Sequence, residues 1–173
     1  MDRQSRSALP ADERAARLKE RVYITFTSLA VVLALSSHAE GLTARRAVTT
    51  LLIAVTGTLL AVFVADFVSH VAVHQVMPTG PELRRMVGVS AGALGVLPLP
   101  LIFLALAGAG RWSVAAGLRA STIALLGSLV VIGYLAVRRV RMPVWQRLVV
   151  LGAEAALGTA VIALELLAHG AAP

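Results

Sequence analysis

Apolar residues run along this chain in long blocks separated by short polar, proline- or glycine-containing stretches, and that spacing predicts helices. A helix that crosses a bilayer needs about 20 mostly apolar residues. Five blocks approach or exceed that length, at 22–38, 47–76, 86–107, 112–137 and 144–169. The pattern therefore predicts an all-α integral membrane bundle of five transmembrane helices. Residues 1–21 form a polar N-terminal arm, 22–169 the membrane domain and 170–173 a short tail. Pro10 followed by Asp12 and Glu13 suits the start of a short amphipathic helix in that arm, because a first-turn proline loses no needed hydrogen bond and acids meet the positive end of the helix dipole. The polar arm and the long run after it predict a retained anchor, not a cleaved signal peptide.

The second block is the longest, about 43 Å at the helical rise, and must tilt or protrude from a hydrocarbon core roughly 30 Å thick. Its second half carries Asp66, His70 and His74 four residues apart, which places three titratable groups on one helical face. A charge at the bilayer centre costs about 2.5–3.5 kcal/mol on insertion scales, so such groups usually line a polar path or bind an ion. Beside them Gly57, Ala61, Ala65 and Ser69 form a stripe of small residues against which another helix can pack closely. Met77 to Pro81 reads as a compact turn, since two prolines and a glycine interrupt a helix there.

Farther along, Pro98 and Pro100 remove two backbone donors and release the carbonyls of Leu94 and Val96, predicting a break that either kinks the third span or lines a cation path. Arg119 falls in the fourth block, and Glu154, Glu165 and His169 in the fifth. Counting helical rise, Glu154 and Asp66 share a depth of roughly 14 Å and are expected to face each other. Arg119 and Glu165 match in height at the other side, where a salt bridge would lower the cost of both. His38 with Glu40 marks the outer end of the first span, as an interface cap or an exit site, and His169 reads as a water-exposed helix end.

Composition confirms the class. With 58% hydrophobic and 14% charged residues and a mean hydropathy of +0.82, the chain is too apolar for a soluble domain of 173 residues. The net charge of +7 reflects topology: six basic residues lie in the arm, two at Arg84–Arg85 and four between Arg138 and Arg147, against Arg45, Arg46 and Arg111 on the other side. The positive-inside rule then puts the N-terminus in the cytoplasm and the C-terminus outside, in a bacterial plasma (inner) membrane. Arginines that flank spans do not form a nucleic-acid patch, so no nucleic-acid partner is expected. There is no cysteine, which excludes disulfides and thiolate sites.

Asp66 and His70 can chelate a divalent cation, with His74 or Glu154 completing the set; mixed oxygen and nitrogen ligands suit Fe, Mn or Zn better than Mg or Ca. The same groups can relay protons, or satisfy one another in a packed seam. Gly-x-Ser-x-Gly and His-Glu-x-x-His are both missing and four histidines are too few for a desaturase cluster, so neither an enzyme nor an organic cofactor is expected.

In its layout the chain, from about Arg17 to His169, resembles the vacuolar iron transporter family of small five-helix metal exporters. The likeness rests on the span count, the overlong second helix with Ala65-Asp66-Phe67-Val68-Ser69 near its cytoplasmic end, and Gly95-x-x-Pro98-Leu99-Pro100. It continues through Leu125-Leu126-Gly127, Arg138-Arg139, Arg147 and the Gly152 to Gly158 pattern. The chain also looks like small actinobacterial membrane proteins of this length. The resemblance implies a homodimer that exchanges cytoplasmic Fe or Mn for protons along the dimer interface, with Asp66 in place of the family's second-helix glutamate. Three features depart from the family. Its Asp-Gly-Leu signature in the first helix is replaced by Ile24-Thr25-Phe26-Thr27-Ser28-Leu29, its second-helix methionine is absent, and a short loop stands where many members carry a cytoplasmic metal-binding extension. The expectation is a transporter moving a divalent metal, in exchange for protons, past Asp66, His70 and Glu154. The alternatives are a non-transporting scaffold or partner subunit and a proton channel.

Overall fold

The computed structural model describes residues 11–138 and, beyond them, 143–146, 148–149, 152–153, 155–156, 158–160 and 163. Among these the fold is entirely helical. Helix α1 covers Ala11–Ser36, α2 Ala44–His74, α3 Gly80–Ala93, α4 Pro98–Gly108 and α5 Val114–Arg138, with a 3₁₀ turn over Leu94–Val96 between α3 and α4.

Helix α1 is the hub. It packs on α2, α3, the 3₁₀ turn and α5, and its buried positions Glu20, Ile24, Thr25, Ser28, Leu29 and Val32 recur at steps that keep them on one broad face. The expected short arm helix and first span are one continuous helix, so the boundary expected at residue 21 falls inside it. The apolar part of α1, from Val22 to Ser36, is shorter than a span needs.

Two described helices are long and apolar enough to cross a membrane, Ala44–His74 and Val114–Ala136, and a third span results if the pair Gly80–Val96 and Pro98–Gly108, bent by 47°, counts as one. Half of the expected fifth span lies outside the described residues. Large apolar side chains on α2 and α5 point away from the protein, with Ile53 72% and Ile123 71% exposed. Such a surface suits a lipid environment.

The turns from α1 to α2 and from α4 to α5 lie at the same end of the bundle, where Gly108 meets Ala44. Each contains a glycine with positive φ, Gly41 at 78° and Gly110 at 74°, a conformation glycine adopts without steric cost. This end, called here the Gly41 end, is closed by apolar packing of Leu29, Val32, Ala47, Leu51, Leu104 and Leu118. Helices α4 and α5 approach closely because Gly117 has no side chain: a Cβ there would sit 3.1 Å from the Phe103 carbonyl oxygen.

At the opposite, Pro78 end, α2 stops at Gln75, which takes left-handed φ 55° and donates its N–H to the Val71 carbonyl. The expected turn over Met77–Pro81 is shorter than the sequence suggests, because α3 already begins at Gly80 with Pro81 in its first turn. Proline is tolerated there since first-turn N–H groups need no helical partner. Thr79 caps that helix: its N–H and its hydroxyl both donate to Glu82 Oε2 at 2.7 Å. The expected proline break is present as the 3₁₀ turn and the bend. Its Leu94 carbonyl is not left free for a cation, because the Leu97 N–H donates to it at 3.0 Å.

Candidate functional site

The polar face of α2 meets the N-terminal half of α1 and the start of α3 at the Pro78 end. Asp66, His70 and His74 do lie on one face, but they turn to different neighbours. Asp66 Oδ1 lies 3.5 Å from Lys19 Nζ on α1, with both groups partly exposed. His70, largely buried, places Nε2 3.9 Å from Glu82 Oε2 on α3. His74 is exposed and meets His70 with the rings tilted by 44° and their centroids 4.6 Å apart. Among the described residues no three histidine, aspartate or glutamate side chains converge as a metal site.

Glu20 is the unusual group. It stands on α1 with only 1% of its surface exposed, and neither carboxylate oxygen has a hydrogen-bond partner. Buried polar groups in folded proteins are paired in the great majority of cases. Ser90 on α3, itself buried with an unpaired hydroxyl, and Asp66 on α2 both lie close enough to act on the Glu20 carboxyl, yet neither completes a hydrogen bond. Burial pushes that carboxyl above the usual carboxylate range; Ser90 and Lys19 pull it down, and the negative Asp66 pushes it further up. A carboxyl out of water beside a second acid is costly to hold charged, so Glu20 favours a proton or a nearby cation, whereas Asp66 is partly exposed and faces Lys19.

A more conventional network closes the site from the solvent side. Glu13 accepts from Arg17 Nη2 at 2.7 Å within α1 and faces Arg85 Nε of α3 at 3.4 Å. Arg21 Nε donates to the Gly92 carbonyl at 3.4 Å. Farther along α1, Ser28 is fully buried with an unpaired hydroxyl, about 12 Å from Glu20 by helical rise. Thr25, between them, donates to the Arg21 carbonyl at 2.7 Å.

The remaining sequence candidates scatter. Ser69 is exposed on α2, beside the equally exposed Gly57, Ala61 and Ala65, so the small-residue stripe has no partner helix among the described residues. His38 and Glu40 line a shallow pocket of about 230 Å³ with Arg46 at the Gly41 end; His38 Nδ1 lies 3.2 Å from Ser37 Oγ. Arg119 is exposed on α5, about one and a half turns after Val114. Pro98 opens α4, and Pro100 is buried with its carbonyl 3.4 Å from Ser121 Oγ. Glu154, Glu165 and His169 lie outside the described residues, and with them the expected pairings of Glu154 with Asp66 and of Glu165 with Arg119.

Sequence reasoning missed Glu20, Lys19, Ser90 and Glu82. Glu20 had a readable signal: it is one helical turn before Ile24 and two before Ser28, on the stripe that continues into the apolar run. No family model matches the chain, and neither a curated protein nor a solved structure matches it.

Proposed function

We propose that this chain is a proton-coupled cation transporter of the plasma membrane, with five spans, a cytoplasmic N-terminus and a Glu20–Asp66 acid pair as its ion-accepting site. The observation that carries the reading is Glu20, a carboxyl removed from water with both oxygens unpaired and a second acid beside it. A group so placed is costly to the fold unless it exchanges protons or cations. In this reading Pro78 faces the cytoplasm, Lys19 balances Asp66, and His70 and His74 pass protons between the acid pair and the solvent at Glu82. Ser28 extends the polar row toward the far side of the membrane. The cargo is a divalent ion such as Mn or Fe, taken up when the acid pair gives off its proton.

The exposed stripe of Gly57, Ala61, Ala65 and Ser69 supports a second element, a homodimer seam along α2. It also favours the rival reading, a membrane scaffold that does not transport.

Reconstituted vesicles carrying a pH-sensitive dye test the proposal. A gradient of Mn²⁺ is expected to drive proton movement in wild type and at least tenfold less in Glu20→Gln and Asp66→Asn. Equal rates in all three proteins, or no flux in wild type, would overturn it in favour of the scaffold.

A further inference from the structure

Opposite the acid pair across α1, a groove of about 410 Å³ runs between the 3₁₀ turn and start of α4 on one side and α5 on the other. Its walls are apolar and small, from Ala124 through Gly127 to Leu135 on α5 and Leu99 on α4, with Arg21 as its one charged group. From Ala124 to Leu135 the helical rise gives about 16 Å, half of a hydrocarbon core roughly 30 Å thick. The groove therefore matches a single leaflet.

Its charge lies at one end. Arg21 lines the groove and is held against Gly92 by one of its five N–H groups, its other donors having no partner among the described residues. Arg138, three residues past Leu135 and two past the spanning segment of α5, is not part of the lining; its guanidinium lies over the Tyr134 ring, 5.9 Å from the centroid. In the C-terminal segment Gly158 approaches Leu126 and Leu129, which lie on a different face of α5 from Ala124 and Leu135.

We propose that this groove holds an anionic phospholipid, one acyl chain lying along α5 and the phosphate at the unpaired donors of Arg21. A largely apolar trough one leaflet long with a guanidinium lining it complements an amphiphile of that charge. A guanidinium recognises phosphate through several parallel N–H donors, and each basic residue near a bilayer surface adds about 1 kcal/mol of attraction for anionic lipid. The site is independent of the acid pair and of any transport.

Native mass spectrometry of the detergent-purified protein tests it, with phosphatidylglycerol, phosphatidylcholine of the same chains, and inorganic phosphate as probes. Wild type is expected to retain one phosphatidylglycerol in preference to phosphatidylcholine. Arg21→Gln should weaken retention about fivefold, the factor that 1 kcal/mol represents. Gly127→Leu leaves Arg21 in place and fills the groove, since nothing lies within 4 Å of a Cβ at that position; it should lose retention while keeping the wild-type melting temperature in the absence of lipid. Equal retention of the two lipids, retention unchanged in Gly127→Leu, or full displacement by inorganic phosphate would each overturn the proposal.

Discussion

The two ends of this bundle are built on opposite principles. At the Gly41 end, Leu29, Leu51, Leu104 and Leu118 are fully buried, and glycine at 117 lets α4 and α5 touch. At the Pro78 end α2 buries no residue completely beyond Val55, and its contacts with α1 and α3 are made by Asp66, His70 and their charged partners. One helix, α1, runs through both. Its face changes from Leu29 and Val32 to Glu20 within about three turns. Apolar packing is thus concentrated at one end, and a buried polar group is left unsatisfied toward the other.

Substitutions of fully buried side chains should therefore have opposite signs at the two ends. The largest effect is expected from Leu104→Ala, which empties a fully buried site and should cost about 2–5 kcal/mol, partly as cavity. Thermal unfolding in detergent would show it, and a change under 1 kcal/mol would mean that this end is loosely packed. Glu20→Gln should instead stabilise the protein at pH above the raised folded value of Glu20, because the amide cannot become an unpaired buried charge.

The pH dependence of that gain has a definite sign. The Glu20 carboxyl is raised in the folded protein, so the folded state holds the proton where the unfolded state has released it. Wild-type stability is greatest below the ordinary glutamate range and falls as pH rises from there through the raised folded value. Glu20→Gln should lack this decline. A parallel decline in both proteins would assign it to another group.

The same contrast explains what could be read from the sequence. Helical class, the overlong α2 and the break at Pro98 and Pro100 depend on local pattern, and they were legible to within a few residues. So was the clustering of Asp66, His70 and His74 on one face. What that face meets was not legible, because Lys19, Ser90 and Glu82 come from two other helices and no local periodicity records such contacts. Glu20 was misplaced for a related reason. Its polar neighbours Lys19 and Arg21 make residues 13–21 look like a solvated arm, whereas burial beside Asp66 of α2 and Ser90 of α3 is a tertiary fact. The proline break was expected to offer a free carbonyl at Leu94, but a 3₁₀ turn supplies the missing donor one residue closer.

The central claim is that Glu20 holds a proton at a pH where ordinary glutamates do not. Infrared difference titration of the protonated carboxyl stretch, in wild type and Glu20→Gln, measures this directly. A carboxyl band is expected in wild type that persists above the usual carboxylate range, is absent in Glu20→Gln and shrinks when Mn²⁺ is added. A wild-type band that vanishes at the ordinary glutamate value, or one that survives in Glu20→Gln, would contradict it.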